Sequence, residues 1–257
     1  MRLIPHGDLG RRAATALWSG KMGDSDAVIF KEDVMSDFKM ERINMVESQI
    51  RPNAVTDSDL LKALLDTPRE IFVPPSLRAL AYMDGGLCVE AARDHRPARH
   101  MLSPMVFAKL AQLARIRKTD RVLDIGGTTG YSAAILSRLA GSVVALENDA
   151  GLTALAKESL SALGAANVTV VMGPLEAGSP ENAPFDAIFL NGRVGNLSEP
   201  LLSQLAEGGR LVGIMGSDTA AKAKLFLKIA SQIQERSGFD ASAPVLPGFA
   251  SKHAFVF

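Results

Sequence analysis

The chain has 257 residues, 47% of them hydrophobic, 22% charged and 5% aromatic. That is enough apolar material for one large domain, or a domain with an appendage, and it excludes a disordered chain. Lysine plus arginine equal aspartate plus glutamate at 28 each, so no net basic footprint marks a general nucleic-acid binder. The single cysteine, Cys88, excludes an intrachain disulfide framework and a multi-cysteine metal site, and four scattered histidines argue against a His-built centre.

Residues 1–36 mix glycines, aspartates and isolated apolar residues without a period, and read as a flexible arm. Arg11 and Arg12 precede an apolar run of only Ala13 to Trp18, too short for a secretory core of roughly 7–15 residues. No stretch approaches the ~18 apolar residues of a membrane span. The expectation is a soluble, cytoplasmic protein. Met35 precedes a well-patterned helix and offers an alternative start. From Asp37 to Ile50 apolar residues recur at helical spacing, and Thr56 is positioned to cap a second helix carrying Leu60, Leu61, Leu64 and Leu65. Pro68, Pro74-Pro75 and Asp84-Gly85-Gly86 mark breaks and turns, so 37–99 reads as a helical cap with loops.

Residues 100–257 read as a separate Rossmann-like domain. Ser103-Pro104 opens a helix, with Ser103 as its cap. Strands follow at Val122–Ile125, Ser142–Glu147, Val168–Met172, Phe185–Leu190 and Leu211–Ile214, separated by helices at Tyr131–Ala140, Ala150–Leu163 and Glu199–Leu205. Such alternation predicts an α/β fold, a doubly wound and mainly parallel sheet of about seven strands. Ala223–Ile229 and His253–Phe257 are expected to close it as an antiparallel hairpin.

Asp124-Ile125-Gly126-Gly127-Thr128-Thr129-Gly130-Tyr131 joins a buried strand to a helix through a glycine-rich turn, where a ligand can approach the main chain. Glu147 ends the next strand about 20 residues on, where an acid accepts hydrogen bonds from a ribose diol. The glycine order is not the G-x-G-x-x-G that seats a pyrophosphate, which argues against NAD. Asp124, directly before the loop, suits a cofactor bearing an ammonium group and no phosphate, which points to S-adenosyl-L-methionine.

The chain resembles the protein-L-isoaspartate O-methyltransferase family over about residues 37–217. Met45 to Arg51 is similar to that family's opening helix. Thr67 to Pro74 resembles its V-P-R-x-x-F-V-P segment, and Leu80 to Asp84 its A-Y-x-D. Asp124 to Tyr131 resembles E-I-G-T-G-S-G-Y, and Ala183 to Ile188 and Gly208 to Val212 its later strands. The resemblance implies methyl transfer from S-adenosylmethionine to an isoaspartyl carboxylate in damaged proteins, an in-line displacement in which a carboxylate is already nucleophilic. It implies cofactor contacts from Asp124, Gly126, Gly127, Thr128, Gly130, Glu147, Asn148, Pro174, Leu175 and Asn191. It implies an acceptor side at Asp84, His100, Leu102 and Ser103.

Three positions depart from the family pattern. Aligned on Pro104, the serine of its T-x-S-x-P loop falls on Leu102 and the threonine on His100. Thr128 stands at the middle loop glycine. Pro174 stands at the acid that follows the third strand, with Glu176 two residues late. Arg93, His95, Arg96, Arg99 and His100 make a basic loop, read either as solvated surface or as a hold for an anionic acceptor. The partner that the resemblance implies is a protein or peptide carrying isoaspartate. The alternatives are a small-molecule acceptor and a non-catalytic binding protein on the same fold, with no nucleic acid or membrane partner and the oligomeric state open.

Overall fold

The computed structural model describes residues 37–94, 96–217 and 220–249. The expected arm at 1–36, Trp18, His95 and the expected strand at His253–Phe257 lie outside these residues.

A helix at 37–45 widens into a π-turn at Val46–Ile50 and then tightens into a 3-10 turn at Arg51–Asn53. Helix α1 (Ser58–Asp66) follows. Its N-cap is Asp57, not Thr56: the Asp57 carboxylate accepts the Asp59 and Leu60 N–H groups, each at 3.0 Å. The β-branched Thr56 is held by its backbone instead, donating to Gln112 Oε1 at 2.7 Å. Leu60, Leu61, Ala63 and Leu64 form the buried face of α1. Two 3-10 turns, Arg69–Phe72 and Pro75–Leu80, complete the cap. Where the sequence reads as a helical cap with loops to 99, the structure has a small hairpin of β1 (Leu87–Glu90) and β2 (Arg99–Met101), which crosses that boundary.

Helix α2 (Pro104–Ala114) leads into the main sheet through β3 (Arg121–Ile125). Then come α3 (Tyr131–Leu139), β4 (Ser142–Glu147), α4 (Ala150–Ala162), β5 (Val168–Met172), β6 (Phe185–Val194), α5 (Glu199–Leu202), β7 (Leu205–Gly216), β8 (Ala221–Ile229) and β9 (Gln232–Asp240). The order is β5-β4-β3-β6-β7-β8-β9, parallel from β5 to β7 and antiparallel beyond. The sheet is thus seven-stranded and mostly parallel, as the alternation predicts. The chain winds away from β3 in both directions, so a switch point falls between β3 and β6, where open α/β sheets bind ligands.

The tail differs from expectation. The partner of β8 is β9, and β9 is polar and exposed along most of its length. The helix expected to reach Leu205 stops at Leu202, because Leu205 already pairs with Phe185 in the sheet. Strand β6 runs four residues beyond Leu190, with Asn191 and Gly192 inside a register shift against β7 rather than at a strand end.

The two faces are covered differently. On one face Phe107 of α2, Leu136 of α3 and Leu152 of α4 pack with the cap residues Met45, Leu64 and Phe72. On the other, Leu123, Ile125, Ile188 and Leu190 are covered by Leu175, Leu201, Leu246 and Phe249. No long helix lies in that second layer among the described residues. Its cover includes a strap at 243–249, whose Val245 forms a parallel bridge to Arg193 of β6.

Candidate active site

The apolar run Val122–Ile125 is buried on both faces and delivers Asp124 to the carboxyl end of the sheet. There the chain turns with Gly126 at φ +72°, Thr128 at φ +56° and Gly130 at φ +97°. The turn is anchored to the cap, since the Thr129 hydroxyl donates to the Phe72 carbonyl at 2.5 Å. Gly127 admits no side chain: a Cβ there would lie 2.6 Å from Asp124 Oδ2. Thr128 holds a left-handed conformation that β-branched residues avoid, and its Oγ1 is buried without a hydrogen-bond partner.

Both acids singled out in the sequence arrive at this edge, and both are already engaged. Asp124 is fully buried and accepts from Ser132 Oγ at 2.6 Å and Asn191 Nδ2 at 2.7 Å. Burial pushes its carboxyl up to about 6, against the opposing pull of those two hydrogen bonds. Glu147 faces a guanidinium. Arg99 grips it bidentately, Nη1 to Oε1 at 2.5 Å and Nη2 to Oε2 at 2.9 Å, with both side chains almost wholly buried. Glu147 also accepts the backbone N–H groups of Thr128 and Asn148, and Asn148 Oδ1 takes a second bond from Arg99 at 2.7 Å.

The basic loop is therefore not a free anion hold, since each of its described arginines pairs with an acid. Arg99 takes Glu147, Arg96 takes Asp149 at 2.9 Å and Arg93 pairs with Glu90. Nothing in the sequence spacing points to the Arg99–Glu147 pair, because it joins the small hairpin to the main sheet.

The acceptor-side residues are partly brought together. His100, Leu102 and Asn191 wall the same small cavity as Arg69, Tyr131 and the glycine turn. Arg69 is the residue that sequence reasoning passed over, although it stands in the family-like segment Thr67 to Pro74. It is fully buried, donates to the Ala81 and Leu102 carbonyls at 2.8 Å each, and lies 4.6 Å from the Tyr131 ring centroid. Tyr131 Oη and His100 Nδ1 are buried there without hydrogen-bond partners. Burial lowers the His100 pKa, with the Arg99 charge acting in the same direction, and so favours the neutral ring. Ser103 does not line this cavity; its hydroxyl accepts the Val106 N–H at 3.4 Å and caps α2. Asp84 sits on an exposed turn, outside this cavity. Pro174 is exposed, while Leu175 is buried against Gly126. Among the described residues no cluster of ligands could hold a metal.

A family profile described as protein-L-isoaspartate(D-aspartate) O-methyltransferase matches residues 40–239, cap and sheet together. The chain belongs to the protein-L-isoaspartate O-methyltransferase family. A relative of that name from Methanoculleus marisnigri is 36% identical over 178 residues, covering 69% of this chain and 78% of its own. One from Koribacter versatilis is 34% identical over 200 residues, covering 78% and 87%. A solved protein-L-isoaspartate O-methyltransferase superposes with a TM-score of 0.69 at 29% identity, over 80% of this chain and 66% of that one. This family member is thus an S-adenosylmethionine-dependent methyltransferase by descent.

The donor set fits that cofactor in kind, with a glycine turn, an acid before it and an acid closing the next strand. The space, as folded, does not fit. Leu246 of the strap lies on the turn: a Cβ at Gly126 would be 2.7 Å from its Cδ2, and one at Gly192 2.7 Å from its Cγ. What remains at the glycine turn are two cavities of about 10 Å³ each, room for one water apiece, with a separate one of about 190 Å³ beyond Arg99 and Asn148. A cofactor-sized ligand needs at least ~300 Å³. A far larger groove, about 1010 Å³, lies away from the glycine turn beside Lys109, Arg210 and Phe239.

Proposed function

We propose that the protein methylates the free carboxylate of isoaspartyl residues in proteins or peptides, with S-adenosylmethionine as methyl donor. The observation that carries this reading is the joining of cap and turn into one cavity wall. Arg69, from the segment most particular to the family, bonds the Leu102 carbonyl and stacks on Tyr131 at the end of the glycine turn. A carboxylate acceptor needs no general base, so a leucine at the family's serine position removes a hydrogen-bond donor without removing the nucleophile. Arg69 supplies positive potential where an acceptor carboxylate would lie, and Met101, Leu102 and Phe107 keep water out. On this reading residues 37–99 act as the cap over the acceptor side of a methyltransferase domain at 100–257. We place the reaction in the cytoplasm on the sparse cysteine content.

The test is transfer of labelled methyl to two peptides that differ only in isoaspartate against aspartate. Label on the isoaspartyl peptide alone is the expected result. The apolar wall at Met101 and Leu102 favours one competing reading, a small apolar acceptor. Label on neither peptide, but on small carboxylic acids, would replace the proposal with it.

A further inference from the structure

The closed cleft supports a second step, which rests on the methyltransferase reading. Arg99 satisfies both oxygens of Glu147 at once, through two charge-assisted bonds at 2.5 and 2.9 Å. The N–H groups of Thr128, Asn148 and Asp149 take the remaining lone pairs of Glu147, so a ribose diol could reach this carboxylate only by displacing the guanidinium. Leu246 covers the backbone surface that Gly126 and Gly192 leave bare, and glycine at such a turn serves close approach by a ligand. Cation and apolar plug thus block the same cleft from two directions.

The attachment of the strap is short and one-sided. Arg193 N–H donates to the Pro244 carbonyl, Leu246 N–H to the Arg193 carbonyl and Gly195 N–H to the Phe249 carbonyl, at 2.9, 2.9 and 3.0 Å. These bonds can open without disturbing the β6–β7 ladder. Arg99 also has somewhere to go. A cavity of about 190 Å³ adjoins its side chain, walled by Arg96, Asn148, Asp149 and Pro247; Asp149 there already holds Arg96 and caps α4, so the cavity offers Arg99 room and a shared carboxylate rather than a free one.

We propose that Arg99 and the strap at 243–249 form a latch over the cofactor cleft. The cofactor enters only when Glu147 exchanges Arg99 for the ribose diol and Leu246 leaves the glycine turn. The observed affinity is then the intrinsic affinity multiplied by the open fraction, so a latch open one time in ten weakens binding tenfold.

The experiment is calorimetric titration of S-adenosylhomocysteine into the full chain, Arg99→Gln, Leu246→Ala and the double variant, each checked for fold by circular dichroism. The latch predicts at least tenfold tighter binding by the double variant than by the full chain, with each single variant between them. Equal or weaker binding by the folded double variant overturns it. Because Leu246 is also a core residue, a second measurement stands apart from any substitution. Saturating S-adenosylhomocysteine should speed amide hydrogen exchange at Leu246 and Gly195 of the unmodified chain, and slower exchange there overturns the latch. A full chain that binds as tightly as the variants defeats the latch alone. Absence of binding by every folded variant defeats the latch and the methyltransferase reading together.

Discussion

Asp124 is a carboxylate held in surroundings that favour its neutral form. Its folded pKa of about 6 stands above the ordinary value of 3.8. Its contribution to stability is therefore fully present below pH 3.8 and lost as pH rises through about 6. Above pH 6 the charged form costs the fold about 3 kcal/mol. An asparagine can still accept from Asn191 through its one oxygen, while its amide NH2 donates to Ser132 Oγ. Asp124→Asn should therefore be more stable than the parent at pH 8 and indistinguishable from it at pH 3.5, as thermal melts across that range would register. Thr128 is the second residue under tension, a β-branched side chain at φ +56° with an orphaned hydroxyl. Thr128→Gly should raise stability by about 1 kcal/mol, a Tm increase of roughly 2–4 °C in a chain of this size. A lower Tm would show that the threonine methyl packs well enough to outweigh the strain.

At the scale of elements, α1 and α2 are stitched through one short segment. The Gln112 side chain on α2 accepts the Thr56 and Asp57 N–H groups and donates to the Ala54 carbonyl, while Asp57 caps α1. Asp57→Ala should cost about 1 kcal/mol in urea unfolding, from two lost capping bonds. A change below a few tenths would mean that Gln112 alone fixes the helix start. The strands β3 and β4 are legible in the sequence because continuous apolar runs between glycines and acids have few other homes. Strand β9 is not, because Gln232–Asp240 is exposed on both faces and carries no apolar period. The β1–β2 hairpin escapes for another reason, its strands being only four and three residues long. The strap is invisible for a third. Val245 and Leu246 are two apolar residues between prolines, and the burial of Leu246 depends on segments more than 50 positions earlier.

For the whole molecule, the Arg99–Glu147 pair shows the same limit. The acid reads as a ribose ligand from its place at the end of β4, but its partner comes from the small hairpin, 48 positions earlier, and reads in sequence as one more surface cation. Charge runs show sign and density; which member is desolvated is decided by the tertiary path. The polar strand β9 has one more effect. It forms one border of the main sheet and β5 the other. Along β9 stand Glu235, Arg236 and Asp240, side chains that resist pairing with a foreign strand. Along β5 the residues are Val168, Thr169, Val170, Val171 and Met172, without a single charge. Among the described residues the molecule therefore guards one border against aggregation and leaves the other without a charge, so strand-to-strand association between copies would begin at Val168–Met172.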